Sequence, residues 1–562
     1  MHSHKILNIQ TQNPSLQNTF SKELKISKTL AQVLINRGIK DLKEAEDFLD
    51  VKLDNLLDPY SFLQMHAATS LIKDAVSAKN KVMICTDYDV DGVTSLAILK
   101  ATLSKMGLDT LHYIPHRIND GYGMNKKAVE LAKKNKVKLV ITADCGISNH
   151  EEIKLLRENN IDVVITDHHE PGNCNLPPAS AIINPKVKNC PYKFKDLAGV
   201  GVAYKLCQAL TKEKLEEDLD LVSLGTIADV VPLRGENRII AKAGLVKLTQ
   251  AKRTGIKALI DVSRMNGREI NSTFVSFILS PRINASGRVD TAEIALNLLM
   301  SANEEEAANL ARTVDGFNRQ RQKIEGQIME EAQDLINSEI NFKEHKVIVV
   351  AKEGWHQGVL GIVASKLADR FYRPTIVISL GDKLCKGSGR SIKNFHLFHA
   401  LIECKDYLEN FGGHSHAVGL VVTKGNVAEF KKQINRFAQE KLSLEDLLPS
   451  LDIDMELDLA DLNESLAFEL KQLEPFGTGN PEPLFYTRGL RLKGQPQVLS
   501  RDTLKFWVTN GEVTYPVIGF GMGSFSDSLI NAQSLDLVYS LGIDTWRGNN
   551  SLILEVKDIF FK

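Results

Sequence analysis

Three carboxylates stand at alternate positions in Asp87-Tyr88-Asp89-Val90-Asp91-Gly92. They follow the apolar run Val82-Met83-Ile84-Cys85, which reads as a short buried strand. Three such charges repel one another, and left uncompensated at least one is driven toward protonation. A divalent ion relieves the repulsion, because hard cations seek carboxylate oxygens. Gly92 lets the backbone turn sharply into a helix expected from Gly92 to Met106. A lone Asp-x-Asp is often only a solvated acidic turn, so the decision falls to residues elsewhere.

Asp144 closes a second apolar run, Val137 to Thr142, in Ala143-Asp144-Cys145-Gly146. Asp167-His168-His169 closes a third, Ile161 to Thr166. Asp229 lies in Ile227-Ala228-Asp229-Val230-Val231, an apolar setting that disfavours an unpaired charge. A single buried His is more often structural than a ligand. An adjacent pair preceded by Asp, with matching carboxylates elsewhere, reverses that expectation. Imidazole with carboxylates suits Mn²⁺, or Zn²⁺ with fewer ligands; carboxylates and water alone suit Mg²⁺. Such a set fits a pair of ions about 3.5–4 Å apart, which activates a water and stabilises the leaving oxygen at phosphorus. Metal-dependent phosphoester hydrolysis is the expected chemistry.

These residues need elements to position them. From Lys81 onward, short apolar runs alternate with helical stretches, and Thr110 to Ile114 and Ala181-Ile182-Ile183 are further strands. The alternation predicts a mostly parallel sheet, with ligands beyond the carboxyl ends of its strands. The five metal candidates are therefore expected at strand ends of one sheet. Residues 1–75 are polar and helical in pattern, a cap expected to pack on the next domain of the chain. Residues 291–345 are rich in Ala, Glu, Asn and Gln at helical spacing, a solvated connector of one long helix or a helix pair. Residues 346–447 return to a smaller α/β pattern, with strands Lys346 to Ala351 and Pro374 to Ser379 and a helix Val359 to Arg370. Residues 448–562 are short β-rich runs broken by Gly and Pro, which fit a small β-barrel of the OB kind. Adjacent Phe506 and Trp507 cannot both face its core.

At roughly 150 residues per domain, 562 residues suggest three or four domains. Lys+Arg is 69 against Asp+Glu of 70, so a nucleic-acid enzyme of this composition needs local basic clefts rather than a basic body. The seven cysteines lack CxxC spacing, which argues against a disulfide framework or zinc ribbon and for a reducing cytoplasm. The start MHSHKILNIQTQNP lacks the apolar core of a signal peptide, and no run of about 18 apolar residues occurs, so no membrane association is expected.

The strings DYDVDG, ADCG, DHH and ADVVPL, in this order, resemble the DHH phosphoesterase superfamily. A wider set narrows the resemblance to its branch of single-strand-specific 5′→3′ DNA exonucleases. These are Ile114-Pro115-His116-Arg117 through Asp120-Gly121-Tyr122-Gly123, LAGVGVAYKL at 197–206, SPRINASGR at 280–288, GWHQGVLGIVAS at 354–365, GSGRS at 387–391, GGHSHAVG at 412–419 and PFGTGNPEP at 475–483. The resemblance implies a multidomain α/β protein: a parallel-sheet DHH catalytic domain (76–290), a helical connector (291–345), a DHHA1 substrate-binding domain (346–447) and an OB-like domain (448–562).

It also implies roles. Asp87 and Asp89 would be ligands to different ions, Asp144 the bridging carboxylate, and His168 and Asp229 the rest of the second site. His169 would face the scissile phosphate, with Asp167 orienting the histidine pair. Asp91 is typical of this branch, with binding of water or indirect binding of metal as its open roles; Tyr88 reads as packing. Ser388 and Arg390, with clustered backbone N–H groups of GSGRS, would hold a terminal 5′-phosphate, and Arg117 would reach it from the first domain. Arg282 and Arg288 would face the strand's backbone. Gly412, Gly413 and His414 would lie near a phosphate beside the ions. His356 would line the channel with Trp355, which fits the core equally well. Tyr122 would stack on a base.

Related pyrophosphatases and cyclic-dinucleotide phosphodiesterases place a His four residues before the first Asp. Met83 stands there, which argues against those activities and thins the shell of the first ion. The implied activity is release of 5′ mononucleotides from single-stranded DNA with a free 5′ end, using two Mn²⁺ or Mg²⁺ ions, in DNA repair and recombination. The implied agent is a monomer working with a helicase and a single-strand-binding protein.

Overall fold

The computed structural model describes residues 5–117, 119–121, 123–172, 175–544 and 551–562. The chain divides into two compact units, one of residues 57–229 and 244–449, the other of residues 5–56, 230–243 and 450–562.

The first unit contains a five-stranded, wholly parallel sheet in the order Thr110–Tyr113, Val82–Thr86, Leu139–Ala143, Asp162–Thr166, Ala181–Ile183. Val82–Thr86 and Leu139–Ala143 are buried at every position, as a parallel sheet covered on both faces requires. From Val82–Thr86 the chain steps outward to one edge, then returns to build the other side. A crevice therefore opens at the carboxyl ends of Val82–Thr86 and Leu139–Ala143. The helix Val90–Lys105 packs against the helices Gly199–Thr211 and Leu219–Ala228. Met83 lies in the apolar core with Cys85, Val140 and Val163.

The connector is a short helix, Glu293–Met300, and a 36-residue helix, Glu304–Glu339. It is less solvated than its composition suggests. Besides Val314, Ile328 and Ile336, it buries Asp315, Asn318, Arg321 and Glu325. Arg282 Nε lies 3.0 Å from Asp315, Arg321 lies 2.5 Å from Glu325, and Lys366 pairs with Glu325 as well. Buried charges persist only when paired in this way.

The smaller sheet of this unit runs Leu408–Gly413, Ala417–Thr423, Leu384–Arg390, Thr375–Leu380, Ile348–Glu353. The pair Thr375–Leu380 and Ile348–Glu353 is parallel; the other pairings are antiparallel.

In the second unit five strands close on themselves. Phe485–Leu492 pairs with Leu535–Asp544, and the order continues through Ser551–Phe561, Thr514–Gly519 and Thr503–Thr509. Thr503–Thr509 returns to Phe485–Leu492 through Arg491↔Thr509 and Leu492↔Val508. This is the expected OB-like barrel. Phe506 is inside it and Trp507 is only half-buried, as adjacency on a strand demands. Residues 5–56, expected with the segment that follows them, belong instead to the barrel's unit. Ile6–Ile9 pairs in parallel with Ser450–Ile453, and Phe20, Leu30 and Leu34 share one core with Leu459, Leu473 and Phe485. The apolar faces of these helices are satisfied by the barrel, far along the chain. Met65–Ser77 lies in the first unit and packs on Ala181–Ile183. Among the described residues no helix is long and apolar enough to cross a membrane.

Candidate metal centre and end-binding cleft

Asp87 and Asp144 directly follow the two neighbouring strands at the crevice, and Asp167-His168-His169 follows the next strand. The sequence expectation holds for these. It fails for Asp229, which ends a helix, Leu219–Ala228, and not a strand. That apolar run is a buried helix packed on Val90–Lys105, and its last turn delivers the carboxylate.

His168 Nε2 stands 3.2 Å from Asp144 Oδ1, 3.6 Å from Asp229 Oδ2 and 3.9 Å from Asp91 Oδ2. Two sets have ligand atoms within 4.8 Å of one another: Asp144, His168 and His169, and Asp91, His168 and Asp229. Asp87 Oδ1, His168 Nε2 and Asp229 Oδ2 are buried without a hydrogen-bond partner among the described residues. Each such atom costs about 1–3 kcal/mol. Burial, then the charge of Asp89, pushes Asp87 up to about 8 and Asp91 up to about 7. Burial, then Asp91, pushes Asp144 and Asp229 well above the carboxylate range. Burial pulls His168 down to about 3, so its Nε2 offers a lone pair. Buried acceptors without donors, in a set of carboxylates and imidazole, fit a divalent cation, and Mn²⁺ and Mg²⁺ suit that set. Asp89 caps the helix Val90–Lys105, its Oδ1 accepting the Gly92 N–H at 3.1 Å.

Asp91 is buried, and both its oxygens are engaged. Gly199 N–H donates to Oδ2 and Val200 N–H to Oδ1, each at 2.7 Å. It thus anchors the N-terminus of the helix Gly199–Thr211 against the centre. Gly199 also makes room for a ligand, since a Cβ there would fall 2.5 Å from Asp144 Oδ1. Asp144 itself sits at φ +58°, a left-handed conformation that Asp tolerates and that turns its carboxylate off the strand.

Asp167 organises the histidine pair. Its Oδ1 accepts the N–H of His168 at 2.7 Å and of His169 at 3.0 Å, and stands 2.7 Å from His169 Nδ1; Oδ2 accepts the Ile147 N–H at 2.9 Å. Burial works to raise Asp167, but the hydrogen bond and charge of His169 win and hold it low. Burial works to lower His169, but Asp167 wins and holds it above the usual histidine value.

Beside the centre, a cavity of about 490 Å³ is lined by Tyr88, Arg117, Gln357, Lys386, Ser388 and Gly412, among others. Arg117 lies over the Tyr88 ring at 4.7 Å, so Tyr88 has a partner beyond packing. The Arg117 loop is fixed by Asp120, which accepts the His116 N–H at 2.9 Å. Arg390 Nη1 donates to the Gly389 carbonyl at 2.8 Å and lies 3.4 Å from Ser388 Oγ. Arg288 Nη1 donates to the Gly358 carbonyl at 2.9 Å. Burial, then Arg117, pulls both guanidiniums down, Arg288 to about 9. Crowded cations short of carboxylates make an anion site.

Several expectations need correction. GSGRS forms no nest of free N–H groups: Gly387 to Arg390 lie within the strand Leu384–Arg390, laddered on both sides. Any contact of Ser388 and Arg390 with an anion would therefore run through their side chains. Arg282 is drawn to Asp315 and the Ile278 carbonyl, not into the cavity. Trp355 is buried, its Nε1 donating to Glu331 at 2.8 Å, which makes it core. His356 Nδ1 accepts the Gly358 N–H at 3.2 Å at the start of the turn that lines the cavity. Gly413, at φ +132°, lies in a hairpin where a Cβ would strike the Ala417 carbonyl at 2.3 Å. His414 follows it; burial, then the charge of Arg390, pulls its imidazole down, and His169 adds to the effect. Tyr122 lies outside the described residues.

Two residues that matter here were not expected. Asn284 Oδ1 accepts the Val90 N–H at 3.2 Å. Asn184, buried after the strand Ala181–Ile183, donates through Nδ2 to the His169 carbonyl at 2.9 Å. Asn184 obeys the same strand-end rule that marked Asp87, Asp144 and His168, and that was the signal available.

Residues 81–226 match the family model described as DHH family, N-terminal domain; residues 344–440 match DHHA1 domain and 453–558 match RecJ OB domain. The chain is 38% identical to Single-stranded-DNA-specific exonuclease RecJ of Bacillus subtilis, over 98% of this chain and 70% of the relative. It is 33% identical to the protein of that name in Salmonella typhimurium, over 94% of this chain and 95% of the relative. It is also similar to a crystal structure of RecJ in complex with Mn²⁺ from Thermus thermophilus, at a TM-score of 0.86 and 28% identity, covering 100% of this chain and 80% of that one. A crystal structure of exonuclease RecJ bound to manganese aligns at a TM-score of 0.60 and 32% identity, covering 70% of this chain and 100% of that one.

Proposed function

This chain belongs to the RecJ family of DHH phosphoesterases, and from that premise we propose that it hydrolyses single-stranded DNA from a free 5′ end. On this reading it releases 5′ mononucleotides and serves DNA repair and recombination. The observation that carries the reading is the pairing of two unlike walls in one unit. Buried acceptors without donors on Asp87, His168 and Asp229 stand beside a cavity whose lining carries Arg117 and Lys386 and no carboxylate.

Asp144, His168 and Asp229, with Asp87 and Asp89, are the side chains that would hold two ions. Mn²⁺ or Mg²⁺ bound there would supply Lewis acidity, lowering the pKa of a water and neutralising charge at phosphorus. The protein's own groups do the positioning. Arg390, Arg117 and Ser388 grip the terminal 5′-phosphate, with Arg288 behind them. Asp167 holds His169 Nδ1 and so orients the ring, and His169 donates a proton to an oxygen of the scissile phosphate. Gripping the end fixes which phosphodiester lies at His169, so cleavage one nucleotide in follows from geometry. A cavity of about 490 Å³ is of a size to take a nucleotide.

The enzyme is further proposed to be a cytoplasmic monomer, with a helicase to open duplex ahead of it and a single-strand-binding protein to present the strand. The test is digestion of matched single-stranded DNA, single-stranded RNA, blunt duplex and dinucleotide with Mn²⁺ or Mg²⁺ added. Mononucleotides from the 5′ end of single-stranded DNA, with the duplex intact, support the reading; hydrolysis of the dinucleotide alone overturns it.

A further inference from the structure

Beyond the strand Ala181–Ile183 the chain turns through Asn184-Pro185-Lys186 onto the back of the histidine pair. Asn184 is wired at both ends: Nδ2 donates to the His169 carbonyl at 2.9 Å, and Oδ1 accepts the Lys186 N–H at 2.8 Å. Lys195 holds the adjoining loop by donating to the Pro185 and Cys190 carbonyls, each at 2.8 Å. The backbone at Lys186 is therefore fixed relative to His169. The Lys186 side chain is 24% exposed, with Nζ 3.2 Å from an oxygen of Glu170, the residue after His169. Glu170 is 76% exposed, so the pair is a cation at the edge of an acidic centre, held by a carboxylate that stands in water. Lys186 is thus joined to the histidine pair twice, through Asn184 to the His169 carbonyl and through its ion pair to Glu170. With its carboxylate in water, the pair contributes little stability, and Glu170 exchanges readily for a phosphate oxygen.

Resting on the reading that this centre cleaves single-stranded DNA, we propose that Lys186 is a backbone-phosphate contact beside the metal centre, and that Glu170 holds its ammonium until the entering strand displaces the carboxylate. Lys186 is thus a binding group distinct from the arginines that grip the 5′ end, and Asn184 is its positioning residue.

The test is steady-state digestion of a 5′-phosphorylated oligonucleotide in Mn²⁺ across a range of salt, with wild type, Lys186→Met, Lys186→Arg and Glu170→Gln. Lys186→Met should raise KM about tenfold, more than it lowers kcat, and reduce the slope of log affinity against log salt by about 0.7, the share of one contact to a single strand. Lys186→Arg should recover most of the loss, and Glu170→Gln should lower KM. An unchanged KM and salt slope in Lys186→Met, or a raised KM in Glu170→Gln, would overturn the assignment. Failure of the wild type itself to shorten the oligonucleotide would overturn the underlying reading, a result separable from the other two.

Discussion

Asp91 accepts the backbone N–H of Gly199 across more than a hundred residues of sequence, at 2.7 Å, while its other oxygen takes the N–H of Val200. The third carboxylate of Asp87-Tyr88-Asp89-Val90-Asp91 is therefore a clamp on a helix N-terminus. The negative charge suits that end of the helix. Asp91→Ala leaves two buried donors unanswered, and the thermal midpoint of the Mn²⁺-loaded protein should fall by several degrees. Asp91→Asn keeps one acceptor and should fall less. Scanning calorimetry of the three proteins checks the order, and equal midpoints would leave the clamp without energetic weight.

Asp144→Ala should abolish cleavage of single-stranded DNA in Mn²⁺ while leaving binding of the oligonucleotide measurable. The arginine wall is untouched by this change, and Asp144 contacts His168 rather than the cavity. Fluorescence anisotropy alongside digestion separates the two effects. Full activity would remove Asp144 from the metal site.

Arg390→Ala should shrink the preference for a 5′-phosphorylated end over a 5′-hydroxyl. A charge-assisted contact to phosphate is worth about 1.5–3 kcal/mol, so a preference of tenfold or more should largely vanish. Competition between the two oligonucleotides in one reaction measures it. An unchanged ratio would put the end-binding pocket elsewhere.

Removal of metal should have a pH-dependent cost. Asp87 is raised to about 8 and Asp91 to about 7, from an ordinary value of 3.8. Below the ordinary value these groups are protonated in both states and contribute their full stability. As pH rises toward 8 the folded state must give up protons it holds better than the unfolded state does, and that stability is lost. The gap in thermal midpoint between Mn²⁺-loaded and EDTA-treated protein should therefore widen from pH 5 to pH 8. A gap independent of pH would mean that Asp87 does not meet the ion.

Much of the centre was legible because its logic is local. An apolar run long enough for one strand, ended by Asp or by Asp-His-His, states both the element and where its last side chain lies. Asp229 escaped because a buried helix and a buried strand are written in the same apolar letters. The strand character of Ser388 and Arg390 escaped for a different reason. Gly-Ser-Gly reads as a turn, and only pairing with Ala417–Thr423 and Thr375–Leu380 makes it a ladder. Arg282 could not be placed from its motif, because Asp315, its partner, lies in the connector helix. The companionship of Ile6–Ile9 with Ser450–Ile453 has no local signature at all.

That last pairing bears on how the protein comes into being. Asn8 and its partner Asp452 are separated by 444 positions. At ribosomal speeds of about 5–20 residues per second, the strand Ile6–Ile9 waits roughly 20 to 90 seconds for its partner, and the first helices wait longer for the barrel that buries them. During that interval the catalytic unit emerges whole, while Phe20, Leu30 and Leu34 remain uncovered. A nascent chain of this kind acquires its nuclease core before these early apolar helices are covered, so they are where a chaperone has most to protect.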